Sequence, residues 1–248
     1  MTLKGLGKKI IVILLWVLVW QVTSMAVDNP MLVSSPWNVM TRLGTLMGDG
    51  TFYQAALASI FRIILGFLMG VTVGAGLALL TSFVPALDAF FRPAISAVKA
   101  TPVASFIILA LVWLHGAWVP VFIAFLMVLP IVWTNVTQGL WETDSRLLEM
   151  GRVFGLSRKR IFTRIYLPSA LPYFLAACRT ALGLAWKAGI AAEVLGTTAL
   201  SIGLNLYEAK IYLETADVFA WTLVVIILSM IFEYLFGRLL NRLAARYQ

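Results

Sequence analysis

Three charged side chains, Arg179, Lys187 and Glu193, interrupt one long apolar run, 169–195. A charge inside such a run is costly to keep in hydrocarbon and points first to function. On a helix, Arg179 and Lys187 stand ~80° apart in direction and ~12 Å apart in height, so both can line one cavity. Two cations facing a cavity would favour an anionic ligand. The competing structural reading pairs them with Glu193 or with charges on neighbouring helices. Covalent chemistry has much less to work with. Glu149 has no second carboxylate beside it and no nucleophile–base pair. Gly5-Leu6-Gly7-Lys8-Lys9 lacks the spacing that cradles phosphates, and neither His-Glu-x-x-His nor Gly-x-Ser-x-Gly occurs. His115 and Cys178 are each the only residue of their type. That rules out a two-imidazole site, an internal disulfide framework and a cysteine metal cluster. No catalytic, metal or cofactor site is expected in this chain, and any energy input must come from another one.

The elements that would position these charges follow from composition. Of 248 residues, 61% are hydrophobic and 12% charged, against about 45–50% and 25% in soluble proteins. A globule of this size has too little interior for so much apolar surface, so lipid must solvate much of it. Spanning helices need about 20 mostly apolar residues. Six runs qualify, at 10–27, 54–82, 93–114, 117–140, 169–195 and 218–236. The expected fold is all-α: one polytopic membrane domain over residues 1–248 with six transmembrane helices. Lys4, Lys8 and Lys9 ahead of an apolar run ending in Ser24-Met25-Ala26 resemble a signal peptide, but the run is long for one, and a retained span is expected. Gly66, Gly70, Gly74 and Ala78 recur every four residues along the second span. Such a small-residue stripe lets helix backbones approach closely, within the chain ahead of any dimer contact. Arg62, near the outer start of that span, is expected to snorkel to the headgroups. Trp113, Trp118, Trp133, Trp141 and Trp221 lie near proposed span ends, as an interfacial aromatic belt requires.

Charge placement sets the orientation. The 19 basic and 11 acidic residues give a net charge of +8. With both termini in the cytoplasm, the cytoplasmic segments hold Lys4, Lys8, Lys9, Arg92, Arg146, Arg152, Arg158, Lys159, Arg160, Arg164, Arg238, Arg242 and Arg246. The outer segments hold only Arg42 and Lys210. This positive-inside bias accounts for the net charge without nucleic acid.

The longest charged stretch, 141–167, joins spans four and five on the cytoplasmic side. Thr143, Asp144 or Ser145 can cap a short helix over 146–154, and Gly155 can end it in a left-handed conformation. Leu147, Met150 or Gly151, and Phe154 share one face. Ser157 can cap a second helix that runs to Leu167, with Pro168 at the start of span five. A short amphipathic helix of this kind suits a groove on a soluble partner or an anionic lipid surface.

The residues of this loop carry a resemblance. Glu149-Met150-Gly151, Gly155, and Ile165-Tyr166-Leu167-Pro168 resemble the Glu-Ala-Ala loop of ATP-binding-cassette importer permeases. The departures are Met150 and Gly151, where alanines are usual. The stretch 59–67, Arg92-Pro93, Thr101-Pro102, 113–116, 179–183, Trp186 and Ala192-Glu193 are similar to the nitrate, sulfonate and taurine group of that family. The resemblance implies a cell-membrane permease whose cytoplasmic coupling helix docks into an ATP-binding subunit through Leu147, Glu149, Met150, Gly151, Phe154 and Gly155. It further implies two permease copies (a homodimer), two ATP-binding subunits and an extracytoplasmic solute-binding protein, with Arg179 and Lys187 as candidate pathway residues. The cargo expected is a small anion of the sulfonate, taurine and nitrate class. Thiamine precursors and riboflavin are alternatives within the family, and an ATPase-independent channel or ion-coupled carrier is an alternative outside it.

Overall fold

A computed structural model describes residues 3–244 of the chain. Arg246 lies outside the described residues, as do the side chains of Lys4, Lys8 and Lys9. Among the described residues eleven α-helices run in order: α1 Leu3–Val27, α2 Pro36–Met47, α3 Gly50–Phe83, α4 Pro85–Ala100, α5 Val103–Trp113, α6 Trp118–Trp141, α7 Ser145–Val153, α8 Arg158–Ile161, α9 Leu167–Leu195, α10 Ile202–Ile211 and α11 Thr215–Ala244. A π-helical turn, Phe162–Tyr166, joins α8 to α9, so the chain is helical from Arg158 to Leu195 without a break.

α3, α6 and α9 form the centre. The small-residue stripe of α3 faces α6. A Cβ added at Gly66 would lie 2.3 Å from the Val121 carbonyl oxygen, and one at Gly70 would lie 2.6 Å from Val128 Cβ. A Cβ at Gly189 of α9 would likewise meet Ile63 of α3 at 2.5 Å. Backbones this close need glycine, and the stripe serves packing within the chain. α1 stands at the margin, with no residue of 10–27 buried. It is tied by its C-terminal half, where Trp20 donates to the Ser34 carbonyl and stacks on Phe219.

Among the described residues, five helices are long and apolar enough to cross a membrane, or six if one bent pair is a single span. That pair corrects the expected third span. α4 and α5 meet at 108° instead of forming one helix over 93–114. The break is at Thr101-Pro102, where both residues are extended (ψ 134° and 138°). Proline clashes with a helical residue before it and drives that residue to extended backbone. The aromatic belt is also corrected in part. Trp113, Trp118 and Trp141 are exposed, but Trp133 and Trp221 are buried. Trp133 donates to Thr81 Oγ1 at 2.9 Å, and Trp221 packs on Phe52.

Candidate coupling helix and pathway face

The loop between spans four and five is built from its caps. Asp144 accepts from the Arg146 N–H at 2.8 Å and starts α7. At the other end the Gly155 N–H donates to the Arg152 carbonyl and the Leu156 N–H to the Gly151 carbonyl, at 3.0 and 2.9 Å. This paired closure needs a left-handed residue, and Gly155 supplies it at φ +65°. Ser157 then caps α8, and its hydroxyl accepts from the Arg160 N–H. The π turn has its own cause. Pro168 has no N–H, and its ring would clash with the carbonyl four residues back. Widening the preceding turn, with the Leu167 N–H bonded to the Phe162 carbonyl, keeps the rod continuous into α9.

α7 presents Leu147, Met150, Val153 and Phe154 outward, the last two 85% and 75% exposed, and Glu149 is exposed as well. Gly151, expected on the docking face, turns inward instead. A Cβ there would stand 3.0 Å from Ile165 Cδ1, beside Leu156 and Ile161. It lets the helix lie close on the rod behind it. Periodicity alone does not single out Val153, because choosing the outward face requires knowing where α8 folds back. The root of the loop is clamped. Glu142, just past α6, accepts hydrogen bonds from the Tyr173 hydroxyl and the Gln138 amide. Those two donors hold its carboxyl below the usual range. Tyr173 also lies against Gly139, where a Cβ would be 2.8 Å from its ring.

Farther along α9 the charges sort differently from expectation. Glu193 is fully buried. It accepts from Ser59 at 2.7 Å, from Arg62 at 3.3 Å and from the Gly203 N–H at 3.3 Å. Arg62 does not snorkel: it also donates to the Leu200 and Ala199 carbonyls at 3.1 and 3.0 Å. This network ties α3, α9 and the segment leading into α10, and neither Arg179 nor Lys187 is among the partners of Glu193. Those two are exposed on one strip of α9, with Ala176 and Thr180, while the opposite face packs on α6. Arg179 donates to Asn241 of α11. It lines a cavity of about 270 Å³ with Glu233 and Asn241. Lys187 does not line that cavity, and among the described residues it has no ion pair. The two cations therefore share a face and not a cavity. Glu233, which the sequence marks only as the one charge of its span, stands against this strip, 3.3 Å from where a Gly183 Cβ would be.

Comparison with known proteins agrees with this architecture. Residues 63–247 match the family described as binding-protein-dependent transport system inner membrane component. The chain is 25% identical over 237 residues to the putative aliphatic sulfonates transport permease protein SsuC of Bacillus subtilis (strain 168), covering 90% of this chain and 81% of that protein. It is 24% identical over 235 residues to the taurine transport system permease protein TauC of Escherichia coli (strain K12), covering 92% and 84%. Its fold is similar to that of a chain from the inward-facing MetNI methionine ABC transporter, with a TM-score of 0.64 at 15% identity, covering 80% of this chain and 96% of that one. The chain belongs to the family of binding-protein-dependent transport system inner membrane components, and it is the permease subunit of an ABC importer.

Proposed function

We propose that two copies of this chain line a pathway for a small anion, with the exposed strip of α9 facing the pathway. The observation that carries this is the pair of cations on that strip. Arg179 and Lys187 are exposed on a helix whose opposite face is packed, and neither is neutralised by Glu193. A sulfonate is the favoured class, since the relatives named above are permeases for aliphatic sulfonates and taurine. Both termini lie in the cytoplasm in this reading, which puts α7 on the side where ATP is available. Leu147, Glu149, Met150, Val153 and Phe154 dock into an ATP-binding subunit. Gly151 and Gly155 act at one remove, by seating α7 on the rod and setting its angle. The clamp of Glu142 on Tyr173 passes movement of α7 into α6 and α9, and rocking of the two copies exposes the cargo to alternate sides. A solute-binding protein delivers the cargo from outside.

The test is ATP-dependent uptake of taurine and short alkanesulfonates into proteoliposomes holding the chain, its ATP-binding subunits and its binding protein. A charge-assisted hydrogen bond contributes about 1.5–3 kcal/mol, so Lys187→Gln and Arg179→Gln should each lower uptake by about tenfold or more. Uptake at the wild-type rate in both variants would remove the strip from the pathway.

A further inference from the structure

A second cavity, of about 610 Å³, lies between α7, α8, the π turn and the end of α3, on the side that the proposed function places in the cytoplasm. One wall is aromatic: Phe83, Phe162 and Tyr166 line it, with Phe83 set edge-on to Tyr166 at 5.3 Å and to Phe162 at 6.3 Å. Leu148 extends this wall onto α7. The remaining side is cationic, from Arg152 near the end of α7 and Arg158 at the start of α8. Neither arginine is ion-paired among the described residues. The volume is in the range of clefts that enclose a drug-sized ligand.

We infer that this cavity binds one anionic phospholipid, with its phosphate on Arg152 and Arg158 and the first carbons of its chains on Phe83, Phe162 and Tyr166. Position selects the occupant. Phe83 is the last residue of α3 and is half exposed, and Tyr166 immediately precedes α9. The aromatic wall therefore continues the lipid-facing surface of two spans, and the arginines stand at its solvent end. A ligand with an anionic head and an apolar tail matches both sides at once. A bare phosphate would leave the aromatic wall in water, and a zwitterionic headgroup would bring a cation to two guanidinium groups. The face used is not the outward face of α7, so lipid and an ATP-binding subunit can be held together. A lipid seated here wedges α7 against the span bundle and fixes its angle.

The test is native mass spectrometry of the full-length chain, purified in mild detergent with the subunits that accompany it. The sample is titrated with phosphatidylglycerol, with phosphatidylcholine of the same chains, and with inorganic phosphate. Phosphatidylglycerol should be retained in preference to phosphatidylcholine. Arg152→Gln/Arg158→Gln should lower that retention by about a hundredfold or more, the loss expected when two charge-assisted bonds to one phosphate disappear. Lys159→Gln/Arg160→Gln removes the same charge from side chains outside the cavity and should retain the lipid. Equal retention of the two lipids, equal loss in both double variants, or displacement by inorganic phosphate would each overturn the inference. So would loss of the lipid whenever the ATP-binding subunit is bound, which would assign the cavity to that protein.

Discussion

Gly66→Ala adds a single methyl group at the tightest point between α3 and α6, and its effect can be worked from the geometry. The new carbon would sit 2.3 Å from the Val121 carbonyl oxygen and 2.8 Å from Ala124 Cβ. Carbon normally meets a carbonyl oxygen at about 3.3 Å or more, so the helices must separate by about 1 Å. The first obstacle is backbone, which cannot rotate aside as a side chain can. A gap of that size forfeits a quarter to a half of the dispersion well for contacts along the seam. Overpacking of this kind typically costs about 1–3 kcal/mol. Alanine's better helix propensity offsets at most about 1 kcal/mol of that. The net expectation is a loss of roughly 1–2 kcal/mol. Gly76 is the control on the same helix: a Cβ there meets nothing within 4 Å, so Gly76→Ala should be neutral or slightly stabilising. Denaturation by sodium dodecyl sulfate from mild detergent micelles, followed by circular dichroism, measures both. A Gly66→Ala protein as stable as wild type, or the same loss at Gly76, would refute the packing assigned to α3 and α6.

Gly155→Val forces a β-branched residue into a left-handed conformation (φ +65°). The variant should insert normally but hydrolyse ATP without transport, so retained coupled transport in proteoliposomes would count against the role given to this turn. Glu193→Ala leaves Arg62, Ser59 and the Gly203 N–H without their shared acceptor. Breaking a buried pair on one side costs about 3–5 kcal/mol, readable in the same denaturation assay, whereas a loss below about 1 kcal/mol would mean the network is not closed in the membrane. The Glu142 carboxyl is held below its usual range by Tyr173 and Gln138. Its contribution is therefore full above about pH 4.3 and is lost as pH falls through the lowered folded value. The gap in thermal midpoint between wild type and Tyr173→Phe should accordingly close in acid, and a gap that stays constant down to about pH 3 would exclude the ionised clamp.

Features set by neighbours along the chain are legible in the sequence. The caps at Asp144 and Ser157, the left-handed Gly155 and the glycine stripe of α3 each follow from local backbone rules or from helical periodicity. Features that depend on which helices meet are not legible in this way. Arg62 near a span end reads as a snorkelling cation until Glu193, 131 positions away in sequence, is placed beside it. Trp133 and Trp221 share composition and position with belt tryptophans, and only Thr81 and Phe52 make them core residues. The break in the third span is written in Thr101-Pro102, but average hydropathy over a window passes straight across it. Gly151 and Val153 exchange roles for a related reason: periodicity sorts α7 into faces, and the fold-back of α8 decides which face is covered.

In the proposed function, the outward face of α7 is where the permease meets its ATP-binding subunit. The most direct measurement is mass spectrometry of what co-purifies with a tagged copy in mild detergent, compared with a Leu147→Asp/Phe154→Asp protein. Both side chains are exposed, so the substitutions should leave the fold intact, which circular dichroism checks on the same samples. Recovery of an ATP-binding subunit with wild type and its loss from the folded variant is the predicted result. Equal recovery from both proteins would place the ATP-binding subunit somewhere other than the outward face of α7.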